Sequence, residues 1–319
     1  RGIAQDALVM NLDDMACTGC TDDILISSTI ARNKHLIPGE VIEELIEGTI
    51  AFISRMEEHG IDIKHAGGET ADTGDIVRTI DVGVTAFGRM PRKNLIINKI
   101  KPSAVIIGLA SDGKATYEDE YNSGIGSNGL TSARHDMLDH AYATRYPESF
   151  SPETNIEFVY NGPWKLTDKV DIHGGAMDIG KLLLSPTRTY LPILKPIIRE
   201  YRSHIQGIIH CTGGAYSKVL KFVSPDLAVQ IDHVPPVPPL FDLIRKASRT
   251  SLSEMYQVFN MGIRMLLFVD QASAQTIHDL ASAFGIKAFT LGEVRRMEGP
   301  SKVIIRTGDE QEPIVEYSA

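Results

Sequence analysis

The clearest periodic pattern in the chain lies between Pro38 and His59. Apolar side chains recur there every three or four residues, which is the spacing of one face of an α-helix. Proline suits the start of a helix, and Gly60 is a common terminator. The segment therefore predicts a helix whose apolar stripe belongs to the core rather than to a site. That stripe consists of Ile42, Leu45, Ile46, Ile50, Ile53 and Met56.

Short apolar runs elsewhere predict strands, and they interleave with helical patterns without strict β-α-β order. This favours an α+β protein over a doubly wound sheet. The predicted strands are Ile61–His65, Ile76–Gly88, Ala104–Ala110, Gln206–Cys211, Leu227–Val234, Ile263–Asp270, Ala288–Val294 and Lys302–Thr307. The other predicted helices are Arg1–Ala16, Leu130–Leu138, Leu191–Tyr201, Ala215–Val223, Leu240–Ala247, Ser253–Asn260 and Ala272–Phe284.

A polar and basic segment, Pro91–Pro102, separates two parts of this pattern. We interpret it as a linker, which predicts an N-terminal domain over residues 1–100 and a C-terminal domain over residues 101–319. Between Asp139 and Gly175 the periodicity gives way to Tyr, Pro, Ser and Asn. That composition predicts an irregular insertion or lid.

Composition and charge narrow the possible functions. Of 319 residues, 43% are hydrophobic and 23% are charged, as in an ordinary globular protein with a sizeable core. The 32 Lys and Arg stand against 41 Asp and Glu, so the net charge is −9, and no basic block offsets it. Nucleic acid and membranes are therefore not expected as partners. No apolar run reaches transmembrane length, and three cysteines make no disulfide framework, so we expect a cytoplasmic location.

A glycine-rich turn, Gly124–Gly129, follows the predicted strand that ends at Ala110 and directly precedes a predicted helix. This order presents free backbone N–H groups to an anion at a helix N-terminus. Glycine lets the backbone approach a phosphate closely, and Ser127 and Asn128 can cap the helix or donate to the anion. An ordinary tight turn with an N-cap fits the same residues.

Two further segments are candidates for phosphate contacts. Gly67, Gly68, Glu69 and Thr70 follow a short predicted strand and read as a paired-glycine turn, which suits a phosphate, a cation or a plain surface turn. Arg188, before a predicted helix, could hold a phosphate in bidentate fashion or form a surface salt bridge.

The first predicted helix carries Asn11, Asp13 and Asp14 within one turn. Oxygen-bearing side chains at this spacing suit a hard cation such as Mg²⁺, although a solvated acidic helix face has the same pattern. Cys17 and Cys20 form a C-x-x-C, but it follows a helix and has no second pair. We therefore interpret the cysteine pair as coincidental rather than as a redox or zinc motif.

Several motifs occur in an order that resembles one family, the phosphoribosylformylglycinamidine cyclo-ligases, or aminoimidazole ribonucleotide synthetases (PurM), of purine synthesis. The similarity extends over essentially the whole chain, and the last motif is the most specific. The motifs are Met10–Asp14, Gly67–Ala71, Gly126–Gly129, Pro186–Arg188, Thr212–Gly214, Glu254–Tyr256 and Phe259–Gly262.

The resemblance implies a two-domain fold whose N-terminal sheet pairs with that of a second subunit, closing a barrel across a homodimer. It implies ATP-dependent ring closure of formylglycinamidine ribonucleotide, a small-molecule substrate, to aminoimidazole ribonucleotide, with Mg²⁺ on the phosphates. ATP would phosphorylate an amide oxygen, and the neighbouring nitrogen would then displace phosphate.

The resemblance also assigns roles to residues. Asp14 and His210 are the implied catalytic residues, and Asp14 and Glu69 the implied metal ligands. The implied nucleotide contacts are Asn11, Asp13, Gly67, Gly68, Glu69 and Thr70. The implied contacts of the substrate phosphate are Gly126, Ser127, Asn128, Gly129 and Arg188. A structural role for His210 remains an alternative.

Two departures from the family stand out. The family usually has a histidine immediately before S-N-G, where this chain has Gly126, so we expect its task to lie elsewhere. Relatives carry D-G-x-G-T-K ahead of the segment that begins here at Arg1, so we expect an N-terminal portion to precede it. The insertion Tyr142–Gly175 is also longer than the resemblance suggests.

Other functions remain open alternatives to the cyclo-ligase. The chain could be another ATP-using relative, similar to a selenophosphate synthetase or a small-molecule kinase, or a non-catalytic nucleotide-binding paralogue.

Overall fold

Two β-sheets organise the chain in the computed structural model, which describes residues 1–319. The first sheet has three strands in the order β2-β1-β3, with β1 parallel to β2 and antiparallel to β3. Helices α1 and α2 pack against this sheet, and small side chains such as Ala4 fit between them and Ile30. The elements are α1 (Gly2–Cys17), β1 (Ile24–Arg32), α2 (Gly39–Glu58), β2 (Ile63–Asp72) and β3 (Ile80–Gly88).

Helix α2 confirms the helix predicted from the apolar stripe, but the stripe is only partly core. Ile42, Leu45 and Met56 are buried. Ile46 and Ile50 are 44% and 54% exposed, so their assignment to the core was wrong. They lie four residues apart on a neighbouring face of the helix, beyond the reach of the sheet.

Two local predictions in this half need correction. Strand β1 was not predicted, although Ile24, Ile26 and Ile30 are its buried positions. The paired-glycine segment is not a turn, because β2 continues through it. The register of β1 against β2 shifts at Ser28, and Gly67 adopts a φ of 102°, so the extra residue forms a bulge.

The second sheet has seven strands in the order β12-β11-β8-β10-β4-β9-β7. Its pairs are antiparallel except for β11 with β8, while β5 and β6 form a separate hairpin that begins in the predicted insertion and extends past its predicted end. The strands are β4 (Val105–Ala110), β5 (Lys169–Ile172), β6 (Gly175–Asp178), β7 (Ile205–His210), β8 (Leu227–Ile231), β9 (Ile263–Val269), β10 (Ala288–Arg296), β11 (Lys302–Arg306) and β12 (Ile314–Ser318).

Helices cover both faces of this sheet. Along β4, Ile106 points into one apolar core, while Val105, Ile107 and Leu109 point into a second core that includes α1. The helices are α3 (Leu130–Met137), α4 (Ala141–Arg145), α5 (Ile179–Leu183), α6 (Leu191–Tyr201), α7 (Pro239–Ser248), α8 (Leu252–Val258) and α9 (Ala274–Ala283). Short 3₁₀ helices occur at Arg92–Asn94, Pro147–Ser149, Ile156–Phe158, Arg202–His204, Ala215–Lys221 and Gln271–Ser273.

The fold confirms the α+β prediction, since mixed sheets and helices form layers without a doubly wound order. Because the second core contains Leu8 and Leu12 of α1 together with Ile193 and Leu267, the first helix packs directly on the seven-stranded sheet. This packing brings the acidic end of α1 next to the carboxyl end of β7. None of the helices has both the length and the apolar character needed to span a membrane.

Candidate active site

The segment Gly124–Gly129, here called the glycine loop, follows β4 in the chain, and the Asn260 side chain holds its first residue. The Asn260 amide nitrogen donates to the Gly124 carbonyl at 2.8 Å, and its oxygen accepts from the Ser111 hydroxyl at 2.8 Å. A Cβ on Gly124, which has a φ of 83°, would overlap the Ser111 hydroxyl. The loop therefore needs glycine to lie this close to the strand.

The far end of the glycine loop leads into α3. Gly129 adopts a φ of 80° at the N-cap of this eight-residue helix. The Ser127 N–H donates to the Thr187 hydroxyl at 3.1 Å, whereas the N–H groups of Gly126, Asn128 and Gly129 make no hydrogen bond within the chain. Three unpaired backbone donors at one turn form a polar lining that suits an anion.

Thr187 connects the glycine loop to α1. Its backbone N–H and its hydroxyl donate to the same Asp6 oxygen at 2.7 and 2.6 Å. Gln5 donates to the Thr187 carbonyl at 2.8 Å. The P-T-R segment thus fixes the loop through its threonine, and the first turns of α1 hold that threonine in place.

A second connection runs from Asp14, near the end of α1, to the last residue of β7. The His210 Nδ1 lies 3.0 Å from an Asp14 carboxylate oxygen. The Asp14 side chain is 55% exposed, while that of His210 is 1% exposed. The histidine is therefore the buried partner, and the carboxylate opens to solvent beside it.

Arg264, the second residue of β9, continues this connection to the glycine loop. Its Nε donates to His210 Nε2 at 3.3 Å, Nη1 to the Ile125 carbonyl at 3.2 Å and Nη2 to the Asn128 side-chain oxygen at 2.9 Å. Two side chains therefore join Asp14 to the loop without a break. A Cβ at Gly126 would overlap the Arg264 guanidinium, so the space for a larger residue at that position is already filled.

These contacts define the protonation of His210. Arginine can only donate, so Nε2 of His210 is an acceptor, and the proton resides on Nδ1, facing Asp14. Burial and the Arg264 charge lower the pKa of His210 to about 4, although Asp14 opposes them. Burial alone would raise the pKa of Asp14, but the bond from His210 and the charges of Lys218 and Arg264 lower it overall. A neutral imidazole thus supports an ionised carboxylate near pH 7.

Lys218 completes the surroundings of Asp14. Its ammonium donates to the His210 carbonyl at 3.1 Å and to the Thr212 hydroxyl at 2.7 Å. It therefore anchors the second glycine turn, Thr212–Gly214, at the same end of β7. The carboxylate, two cations and two glycine turns meet in one region, which is an arrangement suited to phosphorylated ligands.

The structure gives Arg188 a different role from the predicted one. Its guanidinium is buried and bonds to both carboxylate oxygens of Glu118 and to the carbonyls of Ala110, Asp112 and Gly113. These bonds use all five N–H donors. No donor remains for a phosphate, so this arginine holds the segment after β4 instead.

Asp13 is also structural in this chain. It is fully buried and accepts from the Thr189 hydroxyl at 2.7 Å and the Tyr190 N–H at 2.9 Å, at the start of α6. Burial raises the pKa of Asp13 to about 7, against the lowering effect of these bonds. Although adjacent in sequence, Asp13 and Asp14 lie on different sides of the helix, one facing the core and one facing the site.

The remaining predicted residues do not join this region through side-chain contacts. Asn11 donates to the Ala7 carbonyl at 3.1 Å within α1. Gly67 and Gly68, with Glu69 and Thr70, lie in the edge strand β2, where Glu69 pairs with Thr29 of β1. No group of three or more His, Cys, Asp or Glu side chains gathers where it could hold a metal ion. All three cysteines are free.

Sequence reasoning missed Arg264 and Asn260 as site residues. A charged residue inside a strand of apolar core residues, Ile263–Val269, was the available signal for the arginine. Asn260 belonged to a recognised motif, but its role needed the distance to Gly124, which a linear pattern does not contain.

Comparisons with known proteins identify the family of the chain. Residues 1–90 match the family model described as AIR synthase related protein, N-terminal domain, and residues 101–301 match that of the C-terminal domain. The chain belongs to the AIR synthase related protein family. The family matches include α1 and the glycine loop, so both ends of the Asp14–Arg264 connection fall within them.

The chain is also similar to individual relatives and to solved structures. It is 28% identical over 294 residues to a phosphoribosylformylglycinamidine cyclo-ligase of Methanococcus maripaludis strain C6, covering 91% of this chain and 70% of the relative. E. coli HypE, a hydrogenase maturation protein, is similar over 99% of this chain and 79% of its own, with a TM-score of 0.61 and 14% identity. T. maritima PurL complexed with AMPPCP has a TM-score of 0.54 and 13% identity over 96% of this chain, which spans 39% of PurL. These likenesses show the two-domain PurM-like fold.

Proposed function

We propose that this protein catalyses the ATP-dependent cyclisation of formylglycinamidine ribonucleotide to aminoimidazole ribonucleotide, releasing ADP and phosphate. In this reaction, phosphoryl transfer converts the amide oxygen into a leaving group. The neighbouring nitrogen then forms the ring bond to that carbon, and the oxygen departs with phosphate. The task of the protein is to position two phosphorylated molecules and to offset negative charge.

The observation that carries this proposal is the unbroken connection from Asp14 through His210 and Arg264 to the glycine loop. It joins an ionised, half-exposed carboxylate to three unpaired backbone N–H groups. The cyclo-ligase relative, matched over 91% of the chain, supports the particular reaction.

Within this site, we assign the substrate phosphate to the free amides of Gly126, Asn128 and Gly129. The loop lies at a helix N-terminus, where the dipole of α3 also favours an anion. His210 is assigned to hold Asp14 ionised and oriented, because its only ring proton already faces that carboxylate.

Asp14 fits a magnesium ion that arrives with ATP. Mg²⁺ commonly takes one or two protein carboxylates and completes its shell with water and phosphate oxygens. A single ionised carboxylate open to solvent meets that need, whereas an all-protein cage would require the cluster that this chain lacks. When bound, the ion would supply positive charge to the phosphoryl oxygens.

We also propose that the chain acts as a homodimer through its three-stranded sheet, with residues 1–100 and 101–319 as its two domains. Leu25 and Phe87 are cross-strand neighbours on one face of the sheet and are 42% and 63% exposed. Such an apolar pair is costly to leave in water. We assign Gly67–Thr70, on the exposed edge strand, to a nucleotide contact that forms in the dimer.

Turnover with the proposed substrates tests the function. The protein is mixed with ATP, Mg²⁺ and formylglycinamidine ribonucleotide, and aminoimidazole ribonucleotide and ADP are measured together. One ADP per aminoimidazole product is expected. Phosphate release without the imidazole, or no product at any protein concentration, would overturn the proposal.

A light-scattering measurement of molar mass tests the dimer by comparing Phe87→Asp with the unmodified protein. The unmodified protein is expected to be a dimer and the variant a monomer.

A further inference from the structure

Arg264 is a charged residue in a position where burial is energetically unfavourable. It is 1% exposed and lies in β9, whose other residues are all buried and apolar. Placing a guanidinium in such a strand removes most of its hydration. Burial lowers even the pKa of this arginine.

No ion pair offsets that cost. The three hydrogen-bond partners of Arg264 are an imidazole nitrogen, a backbone carbonyl and an amide oxygen, all of them neutral acceptors. Two of its five N–H donors are left without a partner. Buried charges in proteins are ordinarily paired, so packing alone does not account for this residue.

The three partners belong to the two halves of the candidate site. The bond to Nε2 leaves the His210 proton on Nδ1, where Asp14 accepts it. The bonds to Ile125 and Asn128 hold the two sides of the glycine loop, and the guanidinium lies against Gly126 between them. A planar fork with separated donors can make all three bonds at once, which an ammonium cannot.

We propose that Arg264 is a positioning residue that sets the tautomer of His210 and the shape of the glycine loop together. Through it, Asp14 and the loop amides face the same phosphorylated substrate in a fixed relation. This inference rests on the proposed function for its substrate, but its structural part does not depend on turnover.

Two substitutions, Arg264→Met and Arg264→Lys, test the inference kinetically. Both should raise the KM for the ribonucleotide about tenfold, equivalent to the loss of one or two hydrogen bonds that hold the loop. In Arg264→Met the value of kcat should also fall, because His210 no longer holds Asp14 through one fixed tautomer, but by less than removal of the Asp14 carboxylate itself would cause. Arg199→Met, at an arginine 67% exposed on α6, is the matched control and should leave both constants unchanged. A wild-type KM in Arg264→Lys would overturn the inference, because charge alone would then suffice.

A substrate-free measurement separates this inference from the proposed activity. Nitrogen NMR of ¹⁵N-histidine-labelled protein at a fixed pH of about 7.5, where free imidazole is mostly neutral, reports the tautomer of each ring. The unmodified protein should show His210 as the Nδ1–H form alone, with the resonance assigned by loss in His210→Gln. In Arg264→Met, the Nε2–H form should become populated.

The two measurements together decide the matter. An unchanged His210 tautomer in a folded Arg264→Met protein would overturn the inference, even if the protein turns over formylglycinamidine ribonucleotide. The tautomer change in a protein without that activity would uphold the positioning role and refute the proposed substrate. Should Arg264→Met fail to fold, Asn128→Ala removes one acceptor of the arginine and should give the same KM increase.

Discussion

Arg188 and Arg264 are both buried near the point where β4 ends beside the first residues of β9, yet their surroundings differ. Arg188 uses all five donors on Glu118 and three carbonyls, so its charge is paired and its geometry is complete. Arg264 uses three donors on neutral acceptors that belong to the candidate site. A saturated, paired arginine stabilises the fold, whereas an unsaturated one beside unpaired amides is available for function.

The same contrast separates the two neighbouring aspartates of α1. Asp13 is buried and caps α6, and Asp14 is half exposed and ionised beside His210. Sequence position suggested similar roles for the two aspartates, whereas it suggested a role for only one of the two arginines. In both pairs, the number of satisfied bonds distinguishes the two residues.

The largest effect is expected for Arg188→Met. Removing one partner of a buried ion pair leaves Glu118 unpaired and should lower the free energy of unfolding by about 3–5 kcal/mol. Urea unfolding measures the loss, and kcat per folded molecule should stay near that of the unmodified protein. A stable variant with a raised KM would erase the distinction between the two arginines.

Asp14→Asn should lower kcat on the order of a hundredfold, as for loss of a group that stabilises transition-state charge. Its stability should change little, because the side chain is half exposed. The adjacent Asp13→Asn is the matched control. It should cost about 1 kcal/mol of stability through a weakened cap, with kcat nearly unchanged. Equal kinetic losses in the two variants would contradict the assignment.

Gly126→Ala tests the contact between the glycine loop and Arg264. The added methyl would overlap the guanidinium and meet a φ of 60°, so a loss of about 2 kcal/mol is expected. Gly308→Ala has a φ of 74° but open space around it, so it should lose only about 1 kcal/mol. Arg264→Gly removes the guanidinium that the added methyl would overlap, so in the double variant the extra stability loss of Gly126→Ala over Gly308→Ala should disappear. If the stability losses of the two single variants simply add, the two residues do not press on each other.

The smallest effect concerns pH and Asp6. Burial raises the pKa of Asp6, against the bonds from Thr187, so the folded protein binds a proton there more readily than the unfolded chain. Its contribution to stability is therefore full below the unfolded pKa and is lost as the pH rises through the folded value. Asp6→Asn can keep both bonds, since they go to one oxygen.

Unfolding of the two proteins between pH 3.5 and 7 checks this direction. The unmodified protein should lose stability relative to Asp6→Asn as the pH rises. A difference that stays constant over this range, or one that grows in the other direction, would show that Asp6 is not destabilised by burial.

Much of the fold could be predicted from the sequence because it depends on local periodicity. The helix Leu191–Tyr201 has the predicted bounds, and the strand over Ile263–Val269 differs by one residue. The missed strand Ile24–Arg32 and the misjudged Gly67–Gly68 turn have another cause. A bulge preserves a strand through glycines that locally resemble a turn, and only pairing with a distant strand reveals it.

The candidate site was harder to predict from the sequence than the fold. The glycine loop, Asp14 and His210 were singled out from motifs, and the structure places them in one connected region. What a motif could not give was the partner of each side chain. Arg188 and Asp13 carried the right chemistry for ligands, but Arg188 has no free donor and Asp13 is buried against Thr189 and Tyr190.

The most direct test of the account is a double-mutant cycle on kcat/KM for Asp14→Asn and Asn128→Ala, the two ends of the connection. If His210 and Arg264 join them into one site, the two losses should be non-additive, with a coupling of about 1 kcal/mol or more. Additive losses, within about 0.3 kcal/mol, would mean that Asp14 and the glycine loop act independently and would contradict the account.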